Sequence, residues 1–164
     1  MTRTYLVLVL TALLCAPSLA QAQPVTLEFG PRGGYSISEQ ASFVGADFRV
    51  DEASLPFVYH LGFDYYLEAV GEGEQDAPNW QFDVNSYIPF LVYSPTITLQ
   101  LGGGFSVQRT VPSTGAETDW GFNGTAGFVL NPTGTFQPFV RARATLAQES
   151  TFDAMGGLLI VLRQ

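Results

Sequence analysis

The strongest pattern along the chain is an alternation of apolar and polar residues, the period-two signature of strands with two unlike faces. It recurs in eight segments: 25–37, 42–50, 57–67, 80–92, 96–108, 119–130, 136–146 and 152–162. The third is the clearest. Phe57, Tyr59, Leu61, Phe63, Tyr65 and Leu67 share one face, and His60, Gly62, Asp64 and Tyr66 the other. In the fourth, Trp80, Phe82, Val84, Ile88 and Phe90 oppose Gln81, Asp83, Asn85 and Tyr87. Glycine, proline and asparagine punctuate the joins. No segment carries the 3.6-residue period of a long amphipathic helix.

The two faces differ in kind. One is almost wholly Leu, Val, Ile, Phe, Tyr, Trp, Ala and Gly. The other carries Glu28, Arg32, Asp47, Arg49, His60, Asp64, Asp83, Arg141, Arg143 and Asp153, with glycines beside them. Both signs of charge are present. A narrow closed barrel turns such residues inward, where they pair across the lumen and glycines leave room for arginine. Its outer face then meets lipid. The predicted fold is all-β: an eight-stranded antiparallel up-and-down transmembrane barrel. An even strand number and segments of roughly nine to thirteen residues both suit a tilted membrane strand. Tyr35, Phe57, Trp80 and Trp120, at strand ends, are the candidate membrane-interface aromatics.

The joins alternate in length. Residues 51–56, 93–95 and 131–134 are short and contain proline, and Asn131-Pro132-Thr133-Gly134 is a strong turn signal. Residues 69–79 and 109–118 are longer, as external loops of such barrels are, although 38–41 and 148–151 are also short. The first long loop gathers Glu72, Glu74 and Asp76, a candidate surface-interaction site and a weak candidate for calcium.

The start of the chain reads differently. Arg3 is followed by an apolar stretch from Tyr5 to Ala16, then Pro17 and the small residues of Ala20-Gln21-Ala22. That order predicts a secretory signal peptide over 1–22, cut after Ala22, and a barrel domain over 23–164. The apolar stretch is shorter than the roughly 20 residues a spanning helix needs. Cys15 follows two leucines inside it, unlike a lipoprotein cleavage site. After cleavage the chain holds no cysteine, so no disulfide secures the fold.

Composition fits this picture. Charged residues make up 13% of the chain, far below an ordinary soluble surface. The net charge of -8 excludes the basic clusters of a nucleic-acid partner.

With eight strands and an export signal, the chain resembles the small outer-membrane β-barrel proteins of the OmpX-like, OmpA-transmembrane-like and opacity-like kind. The resemblance is architectural and covers the whole of residues 23–164. Gly157, Ile160 and Leu162 partly match the C-terminal signal of such barrels, but Arg163-Gln164 stand where the terminal aromatic is usual. The resemblance implies an outer-membrane location in a Gram-negative-type bacterium. The implied partners are outer-membrane lipid, lipopolysaccharide and the barrel-insertion machinery.

Little in the chain suggests chemistry. His60 is the single histidine. The deacylases among outer-membrane barrels resemble a His-x-Ser pattern on a late strand, whereas here His60-Leu61-Gly62 lies on the third. There is no His/Cys cluster for a metal, and Gly102-Gly103-Gly104 lacks the lysine and helix of a phosphate loop. The leading expectation is a non-enzymatic barrel with a plugged polar lumen, no cofactor, and a structural, adhesion or surface-interaction role. Two other classes remain open at this level: a secreted lipocalin-like barrel with an apolar core and ligand, and a lipid-modifying enzyme of the outer membrane.

Overall fold

The computed structural model describes residues 25–67, 79–91, 96–110, 117–148 and 150–163. The segment 1–22, with its expected export signal and Cys15, lies outside the described residues, as do Glu72, Glu74 and Asp76. The eight strands are β1 (Val25–Ser36), β2 (Ala41–Glu52), β3 (Val58–Tyr66), β4 (Trp80–Leu91), β5 (Ile97–Thr110), β6 (Glu117–Leu130), β7 (Phe136–Leu146) and β8 (Thr151–Arg163). Each pairs antiparallel with its sequence neighbour, and β1 closes on β8 from Thr26↔Arg163 to Ser36↔Asp153. Closure leaves no sheet edge, the condition for strands to cross a lipid layer.

Local chemistry sets the joins at the end where the chain enters, called here the turn end. Asn131 takes the left-handed conformation at φ 53°, which asparagine tolerates better than most residues. Gly134 N–H donates to the Asn131 carbonyl at 2.9 Å, and the Asn131 amide donates to the Phe136 carbonyl at 3.2 Å. At the opposite, loop end, Gln40 turns the short β1–β2 join at φ 51°.

Several strands differ in extent from the alternation. Asp51 and Glu52 belong to β2 rather than to the turn, while Phe57 lies in the turn before β3. β5 runs on to Thr110 and β6 starts at Glu117, so polar residues extend both strands past the apolar pattern. The apolar alternation marks the outward belt of the barrel, whereas backbone pairing continues past it.

The burial pattern is that of a soluble protein turned inside out. Phe29, Val44, Leu61, Phe63, Val84, Phe105, Phe122 and Val140 all face outward and are exposed. Inside lie charged and amide side chains. They are bounded by apolar residues that polarity alone did not mark: Ala41 and Phe43, packed with Tyr66, at the loop end, and Val129, Phe139 and Leu159 at the turn end. Strict continuation of the period from Arg141 would have placed Phe139 inward.

Candidate functional site in the barrel lumen

Glycines make the interior deep enough for long side chains. A Cβ at Gly62 would run into the Arg32 guanidinium, one at Gly102 into the Tyr87 ring, and one at Gly157 into the Phe139 ring. Gly62 thus makes a bed for a side chain from β1, two strands away, and Gly102 and Gly157 for the rings of their register partners on adjacent strands.

The loop-side half holds two arginines among aspartates. Arg32 donates through Nε and Nη2 to both oxygens of Asp64, at 2.7 and 2.8 Å, and through Nη2 to Asp83 at 3.2 Å. Arg143 donates Nε to its cross-strand neighbour Asp153 at 2.8 Å and Nη1 to Asp64 at 2.7 Å. It also contacts Asp83 closely. Amides and hydroxyls complete the shell. Gln81 and Ser106 each donate to Asp83 Oδ1 at 2.8 Å, and Tyr66 donates to Gln81 at 3.1 Å. Arg143 is 1% exposed. Charges this far from water persist only when paired and hydrogen-bonded.

Asp47 links this half to the turn-side half. It accepts from Arg32 Nη1 at 2.6 Å, from Arg141 Nη2 at 3.0 Å, and meets His60 Nε2 at 2.8 Å. The other ring nitrogen of His60, Nδ1, faces the Tyr87 hydroxyl at 3.2 Å and the Asn85 amide at 3.3 Å. With the hydrogen on Nε2, the ring donates to Asp47 and the one Nδ1 lone pair is shared by the Tyr87 hydroxyl and the Asn85 amide. The Arg141 guanidinium lies 4.8 Å from the Tyr87 ring centre and 4.7 Å from that of Phe139, within cation–π range.

Arg49 is held less completely. Its Nη1 donates to Gln100 at 3.1 Å, and Glu28 and Asp47 each stand 3.7 Å away. Its Nε and Nη2 are buried without a hydrogen-bond partner.

All ten charged or histidine positions singled out on the polar face therefore point into one lumen and join one continuous set of ion pairs, with Glu28 at its edge, reached through Arg49. The sequence reading placed the amides and tyrosines of the same shell (Gln81, Asn85, Gln100, Tyr66 and Tyr87) on the polar face by strand parity but did not count them in the network. Of the strand-end aromatics, Trp120 is 72% exposed on the outer face, Tyr35 is exposed, Trp80 stacks on Phe63 at 6.4 Å, and Phe57 packs edge-on against Tyr59 at 5.1 Å. No group of three metal-ligating side chains occurs among the described residues.

No protein-family model matches the chain, and no curated protein matches its sequence. Solved structures do. The N-terminal β-barrel domain of Pseudomonas aeruginosa OprF is similar at 13% identity and a TM-score of 0.66, covering 84% of this chain and 97% of that one. Neisserial surface protein A (NspA) is similar at 10% identity and 0.61, covering 83% and 96%. Ail, the attachment invasion locus protein of Yersinia pestis, is similar at 12% identity and 0.53, covering 85% and 99%. The fold is that of the small outer-membrane barrels. At these identities the likeness is one of fold, and role has to come from the side chains.

Seen as a small barrel of this kind, the chain is at odds with one reading that the sequence left open. A lipocalin-like carrier needs its apolar face inside, and here that face is outside. For a lipid-modifying enzyme, His60 is the available base. Its ring is sealed in the lumen among Asp47, Asn85, Tyr87 and Arg141, away from the lipid-facing surface, and no serine or cysteine is among those contacts.

Proposed function

We propose that the protein is a non-enzymatic barrel of the outer membrane of a Gram-negative-type bacterium, with a structural, adhesion or surface-interaction role and a lumen closed to solutes. The observation that carries this reading is the inverted polarity: an apolar outer belt around a charged, cross-linked interior. Ail, named for attachment, shares the fold and lends support to an adhesive role. Outer-membrane lipid and lipopolysaccharide surround the barrel, and the insertion machinery delivers it. The acidic loop with Glu72, Glu74 and Asp76 is the proposed surface-interaction element.

The test uses residues 23–164 refolded in detergent micelles. An unboiled sample runs faster than a boiled one on an SDS gel, with β-type circular dichroism only in detergent. Reconstituted vesicles do not swell in isotonic sugar. Folding in plain buffer without a heat shift refutes the membrane barrel, and swelling refutes the closed lumen.

A further inference from the structure

Among the described residues, the lumen buries the arginines Arg32, Arg49, Arg141 and Arg143 and the carboxylates of Glu28, Asp47, Asp64, Asp83 and Asp153. With His60 neutral, this interior is one positive charge short. The shortage falls in the loop-side half. On the turn side, Arg49 and Arg141 match Glu28 and Asp47. On the loop side, Arg32 and Arg143 stand against Asp64, Asp83 and Asp153. A charge buried without its counter-charge is costly, so a further cation or a proton is called for there.

Unused oxygens mark where a cation fits. Asp153 meets Arg143 through Oδ2, and its Oδ1 is buried with no hydrogen-bond partner. The same holds for Thr145 Oγ1, Thr151 Oγ1 and Asn123 Oδ1. The Asn123 amide is oriented by its neighbour: Ser106 gives its O–H to Asp83 and so accepts from Asn123 Nδ2, at 2.7 Å, which leaves Oδ1 free. These four side chains are neighbours on the lumen wall. Asn123 pairs in register with Thr145, and Thr145 with Thr151, across β6, β7 and β8. Asp153 is the next inward residue of β8 after Thr151. Thr151 is the first residue of β8, which sets the group at the loop end.

Register partners on antiparallel strands lie about 4.5–5.5 Å apart at Cα. Sodium is close to calcium in radius. It takes oxygens at about 2.4 Å and so bridges oxygens up to about 5 Å apart. The set holds oxygen alone, which suits a hard cation. One carboxylate oxygen, three neutral oxygens and a shortage of one charge suit a monovalent ion. Water would satisfy the neutral oxygens and leave the charge unanswered. We propose that Asp153 Oδ1, Thr145 Oγ1, Thr151 Oγ1 and Asn123 Oδ1 bind one monovalent metal cation of the sodium class. The ion evens the charge of the lumen and ties β6, β7 and β8 together at the loop end.

The test uses the exported, folded chain in vesicles of uncharged lipid. The heat shift on a gel is read first, so that failure of the membrane-barrel reading shows before any salt is varied. Urea unfolding is then followed at one ionic strength, in sodium chloride and in N-methyl-D-glucamine chloride. The folding equilibrium constant is expected to be about tenfold larger in sodium, the factor for an ion present at about ten times its dissociation constant. The Thr145→Val and Thr151→Val double variant keeps the shape of both side chains and removes two of the oxygens. It is expected to be equally stable in the two salts. If it does not fold, Thr151→Val alone, at the strand end, is used and reduces the factor to about threefold or less. Equal stability of the unaltered protein in the two salts overturns the proposal. Equal stability in both salts with a gain on going from about pH 8 to about pH 5 assigns the missing charge to a proton, and also overturns it. A sodium effect of full size in the valine variants shows that the ion acts elsewhere and overturns it too.

Discussion

The two halves of the lumen solve the same problem differently. On the loop side, Arg32 and Arg143 face Asp64, Asp83 and Asp153, and these guanidinium groups are forked onto carboxylates at ordinary hydrogen-bond distances. On the turn side, Arg49 and Arg141 share Asp47 and lean on Tyr87 and Phe139, with Glu28 set back at 3.7 Å. The first arrangement is an ionic lattice in which each charge depends on several others. The second is a looser stack in which aromatic faces stand in for missing carboxylates. A buried charge with full coordination is costly to disturb. One with partial coordination is already poorly stabilised and loses little when replaced by an apolar group of similar size.

The largest expected effect follows from removing the hub of the lattice. Arg143→Met leaves Asp64 and Asp83 to Arg32 and takes from Asp153 the guanidinium it pairs with, and should cost about 3–5 kcal/mol in urea unfolding followed in lipid vesicles. A cost near zero would erase the distinction between the halves. Next comes the bed beneath Arg32. Gly62→Ala pushes a methyl group into a guanidinium that several hydrogen bonds hold in place, and a loss of about 1–3 kcal/mol is expected in the same assay. A neutral result would mean that Arg32 moves freely despite its contacts. The smallest effect is expected on the turn side. Arg49→Met should cost about 1–2 kcal/mol, because the loss of one hydrogen bond and of two loose pairs at 3.7 Å, to Glu28 and Asp47, is offset by removing two unpartnered buried nitrogens. A loss as large as that of Arg143→Met would show that the aromatic stack supports its cation as well as carboxylates do.

The sequence displayed the alternation clearly because lipid and lumen impose opposite demands on successive residues. His60, Asp64 and Tyr66 could be separated from Leu61, Phe63 and Tyr65 by parity alone. Partner choice could not be read in this way. That Arg143 meets Asp64 on β3 as well as Asp153 on the adjacent β8 depends on how far each side chain reaches across the lumen, which has no trace in local pattern. Phe43, Val129 and Leu159 were hidden for another reason. Near the ends of the lumen an apolar side chain fills space without offending either environment, so the contrast between faces fades. Strand ends were blurred likewise, since Asp51 and Glu117 continue the pairing beyond the apolar belt.

The closure of β1 on β8 has a consequence for assembly. Thr26 and Arg163 stand near opposite ends of the described chain, and several lumen ion pairs join distant strands, as Arg141 does with Asp47. Until the late strands arrive, a partly built sheet has part of its charge network missing, with Arg141, Arg143 and Asp153 still to come, and leaves two edges unpaired. Under the proposed outer-membrane reading, closing the sheet and completing the charge network belong to the same step, so the network that locks the finished protein also favours a closed barrel over a half-formed one.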